Sequence, residues 1–188
     1  MTGSYSPLPR VPLRPGAAIP CADVESHALL RLLRGMRPRP VSVVIGTAAD
    51  PVSRANGTRI AEAWVADGSG LVLTTVVWPE TAASWLRHAR RFATPAPDAW
   101  IVTGTLPGWV GMGRRLVHST DWSPRRTVAT AALAVPEVIA AGGIGTFDGL
   151  RGTHIDGRVW EIQRTLIVDH PPDMVSRGPL LCEGHHPG

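Results

Sequence analysis

The 188-residue chain contains no lysine, so all 19 of its basic residues are arginine. Schiff-base chemistry is therefore excluded, because it needs a lysine amine. A standard Walker A phosphate loop is excluded for the same reason. The chain has only one tyrosine and two phenylalanines, so it has few stacking platforms for single-stranded nucleic acid. Its basic residues are scattered and follow no nucleic-acid-binding motif, so the sequence predicts no nucleic-acid partner.

Cysteine is also scarce. The two cysteines, Cys21 and Cys182, lie near opposite ends of the chain, and whether they pair is left open, with two free thiols as the simpler interpretation. His154-x-Asp156 and the segment 182–186 are the clusters of potential metal ligands. Neither has the spacing of a structural zinc site. The sequence predicts no metal and no cofactor.

Long apolar runs are missing as well. No stretch approaches the ~20 apolar residues that a membrane-spanning helix needs. The first 20 residues contain prolines and arginines where a secretory signal would have its apolar segment. The sequence therefore predicts no membrane span and a cytoplasmic location. The Gly-x-Ser-x-Gly turn of the α/β-hydrolases is also absent.

Short apolar runs alternate with amphipathic segments through the middle of the chain. This alternation predicts right-handed crossovers and a mainly parallel sheet. We expect a single three-layer α/β domain of the Rossmann-like or flavodoxin-like kind. The expected strands are 41–45, 71–77, 99–102, 127–133 and a final β section that includes 159–168; the expected helices are 23–35, 50 or 53 to 66, 81–92, 107–118 and 136–141. The expected sheet interior contains Val43, Val44, Val72, Leu73, Ile101, Val102, Val128 and Ala129.

The two ends differ from the middle in composition, since both are rich in proline or glycine and lack periodicity. Residues 1–20 are expected to form an extended N-terminal arm and residues 171–188 a C-terminal tail. Residues 21–170 are expected to form the single domain, led by a helix at about 23–35.

Ligands of open α/β sheets bind beyond the carboxyl ends of the strands. Ser53 and Thr105 begin predicted helices there, where backbone N–H groups favour anionic or carbonyl groups. Trp78 and Trp109 either cover a ligand or pack the top of the sheet, and both interpretations stay open. The predicted ligand contacts are Thr47, Ser53, Trp78, Thr103, Thr105 and Trp109.

The turn after the third predicted strand comes close to a dinucleotide-binding motif. Residues 103–113 follow a strand and open a helix, but Val110 stands where the short-chain dehydrogenase pattern needs glycine. The Tyr-x-x-x-Lys pair of those enzymes is absent. We interpret the segment as an ordinary strand-to-helix turn with small packing residues. The other polar candidates at loop tips are Asp50, His154 and Asp156, and no acid–base pair stands out among them, which favours binding over catalysis.

Three motifs, in order along residues 41–168, resemble one lobe of the type I periplasmic solute-binding proteins, the class of the branched-chain amino-acid binding proteins. Residues 59–64 followed by 68–77 are similar to the helix and strand around that family's F-x-x-G-G-x-V. Residues 97–101 are similar to its P-D-A-V strand entry. Residues 147–152 with Asp156 and Gly157 are similar to the F-x-G-x-x-G…D-x-x-G element of its carboxyl-terminal lobe.

The resemblance implies a non-catalytic lobe that binds an amino-acid-like solute. The family is bilobal and almost twice as long, so a second lobe, another subunit or a homodimer is the implied partner. The family's amino-acid carboxylate clamp is not found in this sequence. An α/β enzyme of unrecognised chemistry, dependent on a nucleotide or cofactor, and a protein-interaction scaffold stay open as alternatives.

Overall fold

The computed structural model describes residues 18–171. The strands in this range are β1 (Ser42–Ala48), β2 (Leu71–Trp78), β3 (Ala99–Val102), β4 (Thr127–Ala129), β5 (Arg151–Thr153), β6 (Val159–Gln163) and β7 (Leu166–His170). The helices are α1 (Asp23–Gly35), α2 (Pro51–Ala66), α3 (Leu86–Ala93), α4 (Leu106–Ser119) and α5 (Glu137–Gly142). Two 3₁₀ turns, Pro124–Arg126 and Ala131–Leu133, flank β4.

The strands form one sheet in the order β2-β1-β3-β4-β5-β6-β7. The first five are mutually parallel, and β6 and β7 are added as an antiparallel hairpin. The order reverses between β1 and β3, which is the flavodoxin-like switch point. The predicted α/β fold class is therefore confirmed.

The sheet separates two apolar layers, which gives the domain its three-layer build. Alternate residues of β1 face opposite sides, as the two-residue period of a strand requires. Val43 and Ile45 pack with the leucines of α1 and with Ile60 and Trp64 of α2. Val44 packs on the other side with side chains of α3, α4 and α5.

Strand β1 runs to Ala48 rather than residue 45, and the last predicted β section is a hairpin of two strands that ends at His170. Three further differences concern α3, β4 and β5. Helix α3 begins at Leu86 rather than Thr81, because the segment before it is held as a loop in which Trp85 Nε1 donates to the Pro79 carbonyl at 3.2 Å. Strand β4 ends at Ala129 rather than Leu133, where a 3₁₀ turn takes over. The three-residue strand β5 was not predicted, because it is too short to show a period.

Leu73 was expected in the sheet interior and is 43% exposed. It lies on β2, which is the edge strand, and the pairing with β1 shifts register between Val43 and Val44. The other residues expected in the interior are buried, apart from the half-buried Val72.

The predicted arm and tail fall almost wholly outside the described residues, and so does Cys182, so neither the boundaries nor the pairing of the cysteines is tested. Between residues 18 and 171, no helix is both long and apolar enough to span a bilayer.

Candidate ligand-binding edge

The carboxyl ends of β1 and β3 meet at the switch point, and their threonines are tied to backbone carbonyls. Thr47 Oγ1 donates to the Ala48 carbonyl at 2.8 Å, and Thr103 Oγ1 donates to the Ser53 carbonyl at 2.9 Å. All three hydroxyl-bearing residues, Thr47, Ser53 and Thr103, are buried. The bond from Thr103 fixes the first turn of α2 against β3, so the structure brings these predicted contacts together.

The amino terminus of α2 is capped by Asp50. Its Oδ1 accepts the Ser53 N–H at 2.8 Å, and Pro51 occupies the first helical turn, where a missing N–H costs nothing. The other carboxylate oxygen, Oδ2, is enclosed and has no hydrogen-bond partner among the described residues. Asp50 therefore caps the helix with one carboxylate oxygen, and its second oxygen has no partner among the described residues.

The amino terminus of α4 is capped from a different element. Thr105 is the N-cap residue but its side chain makes no capping bond. Instead Glu80, in the loop after β2, accepts the Gly108 N–H with Oε2 at 3.0 Å. Its second oxygen, Oε1, is enclosed and lacks a partner among residues 18–171. Sequence reasoning missed Glu80, because the contact joins residues that lie 28 positions apart in the chain.

The two caps change the chemistry expected at this edge. A helix amino terminus attracts anions because its first N–H groups are free, yet carboxylates already occupy the Ser53 and Gly108 N–H groups. The expectation of anionic or carbonyl groups at these helix starts stays a prediction, with one N–H at each start already bonded to a carboxylate. The enclosed side-chain atoms without a partner here include two carboxylate oxygens, which accept hydrogen bonds from an ammonium, an amine or a hydroxyl group.

Trp78 and Trp109 are both 0% exposed. Their rings lie 6.0 Å apart, and Trp109 also stacks on Phe147 at 5.5 Å and meets Trp122 edge-on at 5.7 Å. The sequence left two roles open for these indoles, covering a ligand or packing the top of the sheet, and in this structure both indoles pack. Contact of either indole with a ligand stays a prediction that would require the chain to move.

The glycines of residues 103–113 make room for aromatic rings. A Cβ on Gly104 would lie 2.9 Å from Trp78 Cζ2, and one on Gly108 would lie 2.9 Å from Trp78 Cδ1. A Cβ on Gly111 would lie 2.7 Å from the Trp85 ring, and one on Gly113 would collide with Phe147. The interpretation of this segment as a turn with small packing residues is therefore confirmed.

A buried carboxyl that the sequence did not single out lies over the ends of β4 and β5. Glu25, in the first turn of α1, is 2% exposed, and its Oε1 accepts the Ala131 N–H at 2.7 Å. Burial raises the pKa of Glu25, and the bond from Ala131 opposes that shift. An acidic residue in a first helical turn was the available signal, but it suggested only a favourable charge for the helix.

Cys21 lies beside this carboxyl. Burial, with the Glu25 charge as the second cause, raises the pKa of the thiol to about 12. Asn56 fixes the backbone around it, since its Oδ1 accepts the Cys21 N–H at 2.9 Å and its Nδ2 donates to the Ile19 carbonyl at 2.8 Å. A thiol held protonated in this way is a poor nucleophile.

His154 and Asp156 belong to a surface network rather than to the switch point. His154 Nε2 lies 2.8 Å from Asp169 Oδ1, and Arg158 joins Asp156 and Asp169 through bonds of 2.8 and 3.3 Å. The Arg158 side chain lowers the pKa of Asp156. Across residues 18–171, no three His, Cys, Asp or Glu side chains come together in a way that could hold a metal ion.

No protein-family model matches the sequence, and no curated protein matches it. Solved structures do match the fold. A putative branched-chain amino acid ABC transporter protein from Rhodospirillum rubrum superposes with a TM-score of 0.57 at 16% identity, covering 71% of this chain and 37% of that one. Leucine binding protein LivK from Thermotoga maritima gives 0.54 at 19% identity, covering 69% and 36%. A solute binding protein of an ABC transporter from Rhodopseudomonas palustris BisB5, in complex with 3,4-dihydroxybenzoic acid, gives 0.54 at 10% identity, covering 70% and 36%.

This chain thus spans little more than a third of the length of those proteins. The match confirms the resemblance that the sequence motifs indicated, at the level of the fold. The described domain has the fold of one lobe of a type I periplasmic binding protein.

Proposed function

We propose that this chain is a non-catalytic lobe that binds a small, amino-acid-like molecule at the carboxyl ends of β1 and β3. The observation that carries the proposal is the shared fold, in which the strand order reverses at that point. Ligands of such sheets lie in the crevice at the switch point. Two structures of this fold are a leucine binding protein and a solute binding protein in complex with 3,4-dihydroxybenzoic acid.

The caps of α2 and α4 indicate which end of the ligand this lobe would hold. Asp50 Oδ2 and Glu80 Oε1 are enclosed acceptors without partners among the described residues. Leaving a buried acceptor unsatisfied costs about 1–3 kcal/mol. Because both oxygens are enclosed, a ligand reaches them only if the capping segments move. An amino group or hydroxyl that then donates to these oxygens would recover that free energy, while Thr47 and Thr103 keep the floor of the site rigid.

One lobe supplies one wall of a cleft. The domain covers 37% of the length of the Rhodospirillum protein, so the facing wall would come from a second lobe, another subunit or a second copy. In this arrangement the carboxyl end of an amino-acid-like ligand would be held by the facing wall, because the helix starts that would otherwise attract it are already capped here.

Thermal unfolding in the presence of candidate ligands tests the proposal. Leucine, the other amino acids and 3,4-dihydroxybenzoate form the panel. A ligand at a hundredfold excess over its Kd adds about 2.7 kcal/mol to the free energy of unfolding. Asp50→Asn keeps the helix cap, since asparagine caps as well as aspartate, but removes the charge. This variant should bind the stabilising ligand at least about tenfold more weakly, because a hydrogen bond to a charged group contributes about 1.5–3 kcal/mol.

Asp121→Asn is the matched control, because Asp121 is exposed and lies near the carboxyl terminus of α4, at the opposite edge of the sheet. It should leave binding unchanged. If Asp50→Asn and Asp121→Asn change the stabilisation by the ligand equally, the ligand does not bind at Asp50. A full panel without any stabilisation would contradict binding by this lobe on its own.

A further inference from the structure

Strand β2 is the edge strand of the sheet, and its outer side pairs with no other segment of residues 18–171. The strand has eight residues and pairs only with β1 among the described strands. Leu71, Leu73 and Val77 on it are 68%, 43% and 41% exposed. A long edge strand with unpaired backbone groups and apolar side chains is a template for a further strand.

A cationic groove adjoins this strand. It encloses about 770 Å³ between β2 and α3, and its lining includes Thr74, Leu86, Arg87, Arg90 and Arg91. The three arginines are exposed, and helix α3 contains no acidic residue. The groove therefore combines apolar contact surface with three like charges.

These three arginines differ from several others in the domain. Arg34, Arg59, Arg125 and Arg158 each form an ion pair with an aspartate. Within residues 18–171, Arg87, Arg90 and Arg91 have no acidic partner within ion-pair distance. Other arginines, such as Arg31, Arg54 and Arg115, also lack an ion-pair partner among the described residues, but Arg87, Arg90 and Arg91 are distinguished by lining one groove together, where an acidic partner would meet all three.

We propose that the open edge of β2 binds an extended acidic segment of another protein, which adds to the sheet as an eighth strand. The segment's backbone would pair with β2, as in other cases of strand addition. Its carboxylates would meet Arg87, Arg90 and Arg91, and its apolar side chains would cover Leu73 and Val77.

Charge selects this occupant over two others. A second copy joined through the same edge would bring two sets of three arginines together, and like charges facing one another oppose binding. The chain's own first 17 residues contain two arginines and no acidic residue, and its last 17 contain only two acidic residues, Asp173 and Glu183, ten positions apart. Neither end has the run of negative charge that the groove would bind.

Fluorescence anisotropy with labelled peptides tests the proposal on the full chain. The probe is a peptide of about six residues, the usual length of a strand, in which glutamate and valine alternate. A peptide with lysine in place of glutamate tests charge, and the acidic peptide with every backbone nitrogen methylated, which leaves no edge able to donate hydrogen bonds, tests strand pairing. The acidic peptide should bind, more weakly at higher salt because exposed charges are screened, and both altered peptides should bind at least about tenfold more weakly.

The triple variant Arg87→Gln, Arg90→Gln, Arg91→Gln should weaken binding of the acidic peptide about tenfold, since each exposed pair contributes modestly. The matched control replaces Arg31, Arg54 and Arg115 with glutamine. These three arginines are exposed on α1, α2 and α4, so the control removes the same total charge. It should leave binding within about twofold. Far-ultraviolet circular dichroism of both variants confirms that the fold is retained.

Four results would overturn the proposal. Equal losses in the two triple variants would mean that net charge alone binds the peptide. Equal binding of the methylated peptide would exclude strand pairing. No binding of the acidic peptide, together with binding of phosphatidylserine vesicles that the Arg87/Arg90/Arg91 variant loses, would make the groove a lipid-binding surface. Self-association through this edge, seen by sedimentation and abolished in that variant, would make a second copy the occupant.

Discussion

The two apolar layers on either side of the sheet are built from different side chains. The layer under α1 and α2 is aliphatic, with the leucines of α1, Val43, Ile45 and Ile60 around a single tryptophan, Trp64. The layer under α3, α4 and α5 contains Trp78, Trp100, Trp109, Trp122 and Trp160 with Phe92 and Phe147. Aliphatic side chains adjust to volume changes more readily than contacting rings, so the aromatic layer should tolerate substitution less well.

The contacts made by glycines also differ between the aromatic and the aliphatic layer. In the aromatic layer, glycines on β1, α4 and α5 lie directly against rings, and a Cβ on Gly46 or Gly142 would collide with Trp78 or Phe147. In the aliphatic layer, a Cβ on Gly57 of α2 would meet Thr103 Oγ1 at 3.4 Å and Ile45 Cγ2 at 3.5 Å, which are ordinary contacts. Trp78, Phe92, Phe147 and Trp160 thus each occupy space that a side chain on a neighbouring glycine would fill.

Truncation of the central ring should produce the largest effect. Trp109→Ala should lower the free energy of unfolding by about 3–5 kcal/mol, because it leaves a cavity among rings that cannot collapse into it. Urea unfolding followed by circular dichroism measures the loss. If Trp109→Ala costs less than about 1 kcal/mol and instead weakens binding of a ligand, the indole covers the site and the packing role is wrong.

Adding one methyl group should separate the two layers more finely. Gly113→Ala places a Cβ against the Phe147 ring and should cost about 1–3 kcal/mol through overpacking. Gly57→Ala, also inside a helix, should stabilise the domain by up to about 1 kcal/mol, because alanine favours helix more than glycine does.

Thermal unfolding of these two alanine variants under one buffer condition gives the comparison. Opposite signs would support the division between a close-packed aromatic layer and a more accommodating aliphatic one. Equal destabilisation by both variants would contradict it.

The smallest effect is expected from the one buried carboxyl of α1. The folded-state pKa of Glu25 lies above its unfolded value of 4.5, so its favourable contribution is complete below about pH 4.5 and is lost as the pH rises through the folded pKa. Glu25→Gln removes this dependence. The free energy of unfolding of Glu25→Gln, relative to the unmodified protein, should therefore rise between pH 4 and pH 7. A difference that stays constant or falls with pH would show that the buried carboxylate is stabilised by its surroundings.

The sequence predicted helices and strands, because their residue patterns recur locally along the chain. It missed contacts between residues that are distant in the chain. Runs such as 71–77 and 99–102 show β-branched or apolar character locally, so the strands and their parallel arrangement could be read from the chain. The late start of α3 depends on the hydrogen bond from Trp85 to Pro79, which periodicity does not reveal. The extent of β4 depends on the turn that follows it, where Glu25 accepts the Ala131 N–H from 106 positions away.

The candidate site shows the same limit. The loops at the switch point were predicted from the order of the strands, and Thr47, Ser53 and Thr103 do lie together there. Glu80 could not be found, because its role follows from its distance to Gly108 and not from any local pattern. The burial of Trp78 also depends on Gly46, Gly104 and Gly108, which lie on other elements, and a motif in one segment does not show these contacts.

The bond between Glu80 and Gly108 links the loop after β2 to the helix after β3, and Thr103 links β3 to the first turn of α2. The segments around the switch point are therefore cross-linked before any ligand arrives. A ligand that leaves these two bonds in place would not have to order the segments they join, so little conformational entropy would be lost on binding. Differences in affinity among related ligands should then appear mainly in how slowly each one leaves, and any closing movement would fall on the connection to the facing wall.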